Sequence, residues 1–123
     1  MLRSSNTGPP PKPDIKRAID AILKEDATFD RTENRSAIRE NLVRAISIES
    51  RDIEGIVQGF SRNISATGVG LITGDEVAEK LVATLTIDRL TGQPTVLLSE
   101  CRWCKPYGKN WFLSGWQFIN LKR

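Results

Sequence analysis

From residue 42 onward the chain is cut into short apolar runs at nearly even spacing, each closed by a turn containing Gly, Asn or Pro. The segment Leu81-Val82-Ala83-Thr84-Leu85-Thr86-Ile87 alternates apolar and polar side chains, the period of a half-buried strand. Leu90-Thr91-Gly92-Gln93-Pro94 then turns the chain into a partner run over residues 95–105, a hairpin pattern. Upstream, Leu42, Arg44, Ile46 and Ile48 share one side of a run whose other side carries Val43, Ala45 and Ser47. A second run covers about residues 55–61, Val69, Leu71 and Ile72 make a short third, and residues 111–120 are a last one rich in Trp, Phe and Ile. Six short strands joined by tight turns predict an all-β fold, a six-stranded antiparallel β-barrel rather than an open sandwich. Thr73-Gly74-Asp75-Glu76 is expected to start a brief helical turn between the third and fourth strands.

The first third of the chain has a different pattern. Residues 1–13, with Pro9-Pro10-Pro11, are too polar and proline-rich to bury much surface and read as a flexible arm. They contain no apolar core of a signal peptide, and no apolar run in the chain reaches membrane-spanning length. Ile15, Ala18, Ile19, Ile22 and Leu23 recur at three and four residues, predicting an amphipathic helix over residues 14–25. Its apolar face suits either the chain's own core or a partner, and the period alone does not separate the two. From Glu25 to Arg39 charges replace the apolar period, so this stretch reads as an arm feeding a barrel domain of residues 30–121.

Composition narrows the function. A chain of 123 residues holds one modest core. Its 18 basic and 15 acidic residues leave a net charge of +3, which suits a locally basic site for a small anion better than a sheath for long nucleic acid. There is no histidine, so general acid–base chemistry lacks its usual residue, and Ser65 has no base in its neighbourhood of sequence. Cys101 and Cys104 form a lone C-x-x-C, two ligands short of a structural zinc site. On a regular strand a spacing of three puts them on opposite faces, so the expectation is two buried free thiols and a reducing cytoplasm. The reading is a binder without metal or cofactor, and not an enzyme.

Two polar stretches stand apart from the strand rhythm. Arg62-Asn63-Ile64-Ser65-Ala66-Thr67-Gly68-Val69-Gly70 reads as a turn between the second and third strands, where Asn and Ser bond nearby backbone and Gly permits close approach. Arg35-Ser36-Ala37-Ile38-Arg39 precedes the first strand. With this order of arm, strands and turn, the chain resembles a PilZ domain, the six-stranded barrel that serves as a bacterial receptor for cyclic di-GMP. Binding members of that family carry R-x-x-x-R before the first strand and [D/N]-x-S-x-x-G after the second, matched here by Arg35 with Arg39 and by Asn63, Ser65 and Gly68. Glu100-Cys101-Arg102-Trp103 and Gly115-Trp116-Gln117-Phe118 are similar to the closing strands of the family, and the resemblance spans about residues 31–121.

The resemblance implies that Arg35, Arg39, Asn63, Ser65 and Gly68 contact cyclic di-GMP, with Arg62 and Trp116 as further candidates. A planar guanidinium meets guanine O6 and N7 bidentately and neutralises phosphate, which lysine does less well. Asp is the commoner family residue where Asn63 stands, and an amide is a weaker acceptor than a carboxylate. Some members carry another Arg where this chain has Asn34, which favours one bound ligand over a stacked pair. A receptor of this kind acts through a protein target, here unidentified, by rearranging the arm and helix. Two other readings remain open: a barrel that binds single-stranded nucleic acid on Trp103, Trp111 or Trp116, and a barrel that binds only protein.

Overall fold

The computed structural model describes residues 11–29 and 43–122, with side chains in the helix up to Glu25. One helix, α1 (Pro13–Phe29), precedes six strands: β1 (Ala45–Glu49), β2 (Val57–Ile64), β3 (Gly68–Thr73), β4 (Val82–Ile87), β5 (Thr95–Pro106) and β6 (Phe112–Lys122). They close into a barrel in the order β1-β2-β3-β6-β5-β4, every pair antiparallel. Two three-stranded meanders therefore meet along β3/β6 and β1/β4. The six-stranded antiparallel barrel expected from the strand rhythm is present, with β2 and β6 each running a few residues beyond their expected ends.

The crossing from β3 to β4 is where local expectation fails. No helical turn forms at residues 74–81. The Thr73 hydroxyl donates to the Asp75 carbonyl at 2.7 Å, and Val77 and Leu81 are drawn into the core. Lys80 N–H donates to Cys101 O, and Cys101 N–H to Leu81 O, at 2.7 and 2.8 Å. Burial of two apolar side chains and pairing with β5 outweigh the weak helix-starting signal of Asp75 and Glu76. The β4–β5 turn fits its sequence: Gly92 takes φ +78°, a conformation glycine adopts without steric cost.

Helix α1 starts at Pro13, whose fixed φ suits the first helical position, and Ile15 N–H donates to Asp14 Oδ1 at 2.8 Å. It continues to Phe29, four residues past its expected end at residue 25, since extending a nucleated helix costs little. The apolar face that sequence left unassigned packs on the chain's own barrel. Ile15, Ile19 and Ile22 are at most 2% exposed and join one cluster with Ile87 and Leu97 of the strands.

A carboxylate fixes the far part of the helix. Glu25 accepts from Arg89 Nε at 3.0 Å, Leu90 N–H at 3.2 Å, Thr91 N–H at 3.1 Å and the Thr91 hydroxyl at 3.0 Å. Partial desolvation pushes its pKa up, but the Arg89 ion pair and the Leu90 and Thr91 donors more than offset this, and it falls from 4.5 to about 2. Because the folded value lies below the unfolded one, the carboxylate stabilises the fold fully above pH 4.5 and loses that contribution as pH falls toward 2. Glu25→Gln is expected to cost about 1–3 kcal/mol at neutral pH, read from the denaturant midpoint. The gap between wild type and variant should shrink over that acid window.

Candidate functional site

The stretch from Arg62 to Gly70 is not one turn. Arg62, Asn63 and Ile64 belong to β2, Gly68 to Gly70 belong to β3, and only Ser65, Ala66 and Thr67 connect them. The reason is a β-bulge in β2 between Ser61 and Asn63. Strict alternation from buried Ser61 would send Asn63 inward. With one extra residue inserted, Arg62 and Asn63 both face out and Ile64 returns to the core. Asn63 then lies opposite Gly70 and its Oδ1 accepts the Gly70 N–H at 3.0 Å.

The connecting residues hold themselves. Ser65 N–H donates to Gly68 O at 2.9 Å, and the Ser65 hydroxyl accepts the Thr67 N–H at 3.3 Å, a local side-chain turn. Phe118 N–H donates to Thr67 O at 2.9 Å, tying the corner to β6. A Cβ on Gly68 would run into the Trp116 carbonyl oxygen.

A second bulge lies in β5 between Cys101 and Trp103. Cys101 pairs with Trp116, Trp103 with Gly115, and Cys104 with Ser114. Trp116 and Ser114 are two apart and share a face, so Cys101 and Cys104 share the core side as well. This corrects the expectation that they take opposite faces, which held only for a regular strand. Both are free thiols, Cys101 buried and Cys104 half-buried. Burial, with Cys104 adding to it, pushes the Cys101 thiol up to about 11, so it is an inert core group rather than a nucleophile.

The two bulges face each other across four strands. Asn63 pairs with Gly70, Gly70 with Gly115, and Gly115 with Trp103, giving one transverse row with two glycines in its middle. The side chains at the ends lean over those glycines. A Cβ on Gly70 would overlap Asn63 Oδ1, and one on Gly115 would overlap the Trp103 indole. The result is an open cavity of about 510 Å³ with a backbone floor, within the size range of small-ligand sites. Ser65 and Gly68 line its corner side and Arg102 its rim. Arg102 is held by Gln117 Oε1 and stands 3.6 Å from Glu100.

The sequence candidates distribute unevenly. Asn63, Ser65, Gly68 and Trp116 line this cavity. Trp116 is 3% exposed and donates its indole N–H to Ser114 Oγ at 2.8 Å, so it is a core wall with its polar group already used. Arg62 is exposed, outside that lining, with its guanidinium 5.8 Å from the Tyr107 ring centroid. Arg35 and Arg39 lie outside the described residues. Sequence reading did not single out Gly115 and Arg102 as site residues. A glycine inside the aromatic β6 was the available signal, since glycine in a strand marks a close approach. Among the described residues no group of His, Cys, Asp or Glu could hold a metal ion, and no helix is long and apolar enough to cross a membrane.

The described residues thus form a closed six-stranded antiparallel barrel that carries an open, glycine-floored cavity on its β2-β3-β6-β5 side. The PilZ domain matches residues 31–123, and the chain belongs to that family, a family of cyclic di-GMP receptors whose domains are generally non-catalytic. Neither the comparison with curated proteins nor that with solved structures returned a match.

The Asn63–Gly70 contact is directly testable. Gly70→Ala is expected to displace the Asn63 carboxamide, break its bond to the Gly70 N–H, and lower stability by about 1–3 kcal/mol. The denaturant midpoint should fall with an unchanged slope.

Proposed function

We propose that this chain binds cyclic di-GMP at the cavity beside the Asn63-Ile64-Ser65-Ala66-Thr67-Gly68 corner, with Arg35 and Arg39 supplying guanidinium groups from the arm. The observation that carries this reading is the coincidence of that corner with an open cavity of about 510 Å³, inside the segment matched by a receptor family. No carboxylate is among the lining residues, which favours an anionic ligand. Two arginines would meet guanine O6 and N7 or stack on the bases while neutralising phosphate. Asn63 Oδ1 keeps one lone pair beyond its bond to Gly70, and its amide donors are additional ligand contacts.

The output reaches a protein target by ordering of the arm. Residues 30–44 run between α1 and β1, so engagement of Arg35 and Arg39 pulls on a segment anchored at both ends. Ordering such a segment costs several kcal/mol, which puts the affinity near micromolar or somewhat tighter rather than picomolar.

Titration calorimetry of the full chain should show saturable binding of cyclic di-GMP at one site. Arg35→Ala and Arg39→Ala should each weaken it roughly tenfold or more, the loss of a bidentate or stacked contact. Asn63→Asp should tighten it by about a few-fold, since a charged acceptor makes the stronger hydrogen bond. Absence of binding by the wild type at high ligand concentration rejects the receptor reading. Amide hydrogen exchange tests the relay separately: protection of residues 30–39 should rise on saturation, and unchanged protection removes the arm as the moving part.

A further inference from the structure

We propose that the tip of the β5–β6 hairpin, with the outer face of β2 beside it, is a docking surface for an anionic lipid bilayer, a partner beyond the receptor reading and independent of it. The tip is held tightly. Gly108 at φ +72° and Asn110 at φ +69° turn the chain, and the Tyr107 N–H donates to Trp111 O at 2.9 Å. Beyond the last β5–β6 pair, Pro106 with Phe112, the hairpin therefore carries one ring at each end of its turn, Tyr107 41% and Trp111 46% exposed. Rings presented on a closed turn lose little freedom when they dock. The apolar surface continues onto β2, where exposed Phe60 shares a groove of about 430 Å³ with Trp111. Exposed Val43 lies alongside β2 as well, since Arg44 O accepts the Ser61 N–H at 2.8 Å. None of these four side chains belongs to the core cluster.

Charge names the partner. Arg62 places its guanidinium 5.8 Å from the Tyr107 ring centroid, and Lys105 and Lys109 are exposed on the hairpin itself. Residues 55–74 and 101–123 contain no Asp or Glu, so β2, β3, β6 and the tip carry no carboxylate. Asp88, which follows β4, is the one carboxylate lining the groove of Phe60 and Trp111, and it limits the basic surface on the β4 side. Trp and Tyr settle at the headgroup level of a bilayer, where an apolar ring and a polar edge are both satisfied, and each Lys or Arg near an anionic surface adds attraction. Single-stranded nucleic acid also combines cations with rings, but it stacks on π-faces along a groove that tracks its backbone. Val43 offers no such face, and here the rings cap the end of a hairpin.

Flotation of the full chain with vesicles of equal parts phosphatidylglycerol and phosphatidylcholine tests the proposal, with pure phosphatidylcholine vesicles alongside. The chain should bind the anionic vesicles and not the neutral ones, and it should be released as salt rises from about 0.1 M to about 1 M. Trp111→Ala and Lys109→Glu should each weaken binding roughly fivefold or more. Both side chains are exposed, so both variants should keep the fold. No binding to the anionic vesicles, or binding that both variants retain at wild-type strength, overturns the proposal. So does tighter binding of a single-stranded oligonucleotide that the same variants weaken, or a dimer in sedimentation that Trp111→Ala dissociates, since either gives the surface to another occupant. Cyclic di-GMP is absent from these assays, so their outcome leaves the receptor reading to its own titration.

Discussion

Two β-bulges, one at Arg62 in β2 and one at Arg102 in β5, are the constraint from which the candidate site follows. In a regular strand side chains alternate strictly, and one inserted residue reverses the facing of everything beyond it. Here each insertion turns one polar or aromatic side chain outward, Asn63 on one side and Trp103 on the other. The strand then resumes its inward pattern at Ile64 and Cys104. Between the bulges the paired glycines Gly70 and Gly115 remove the side chains that would otherwise fill the space. Walls and floor thus come from the same register, and a slip of one residue in either outer strand would dismantle both.

The site is shallow because the barrel behind it is full. Val69 pairs with Trp116 on the row next to the glycines, and both are buried. The Trp116 N–H satisfies its donor on Ser114 without reaching the cavity, as buried indoles require a partner. A glycine floor over a dense core gives backbone-level contact to a flat ligand without opening a hole in the packing. One polar group of the floor is met by Asn63, which closes the Gly70 N–H at the bulge where strand pairing is interrupted.

How much of this was legible in the sequence depends on whether a residue obeyed the local period. The six strands, their order along the chain, the Gly92 hairpin and the apolar helix face follow from alternation and turn chemistry, and they are present. The facing of Asn63, Cys104 and Trp103 was not legible, because a bulge leaves no signature in alternation until the partner strand is known. Nor was the path at residues 74–81, which is decided by the burial of Val77 and Leu81 against strands distant in sequence. The Glu25 bonds to Arg89, Leu90 and Thr91 join residues 64 to 66 positions apart, a range that no local pattern spans. The corner Asn63, Ser65 and Gly68 was found through a motif rather than through geometry, and its cavity appeared only when β5 and β6 were brought beside it.

The family match begins at residue 31, yet the physical unit begins earlier. Ile15, Ile19 and Ile22 share one apolar cluster with β4 and β5 residues, so α1 is part of the barrel's core rather than an appendage. Burying an isoleucine stabilises by about 1.5–3 kcal/mol, which puts three of them near 5–9 kcal/mol, comparable to the roughly 5–15 kcal/mol that holds a small domain folded. Detaching the helix would therefore threaten the barrel itself. The Glu25 bonds to Arg89, Leu90 and Thr91 fasten the far part of the same helix to the β4–β5 turn, so the helix is held to the barrel by its apolar face and by a carboxylate.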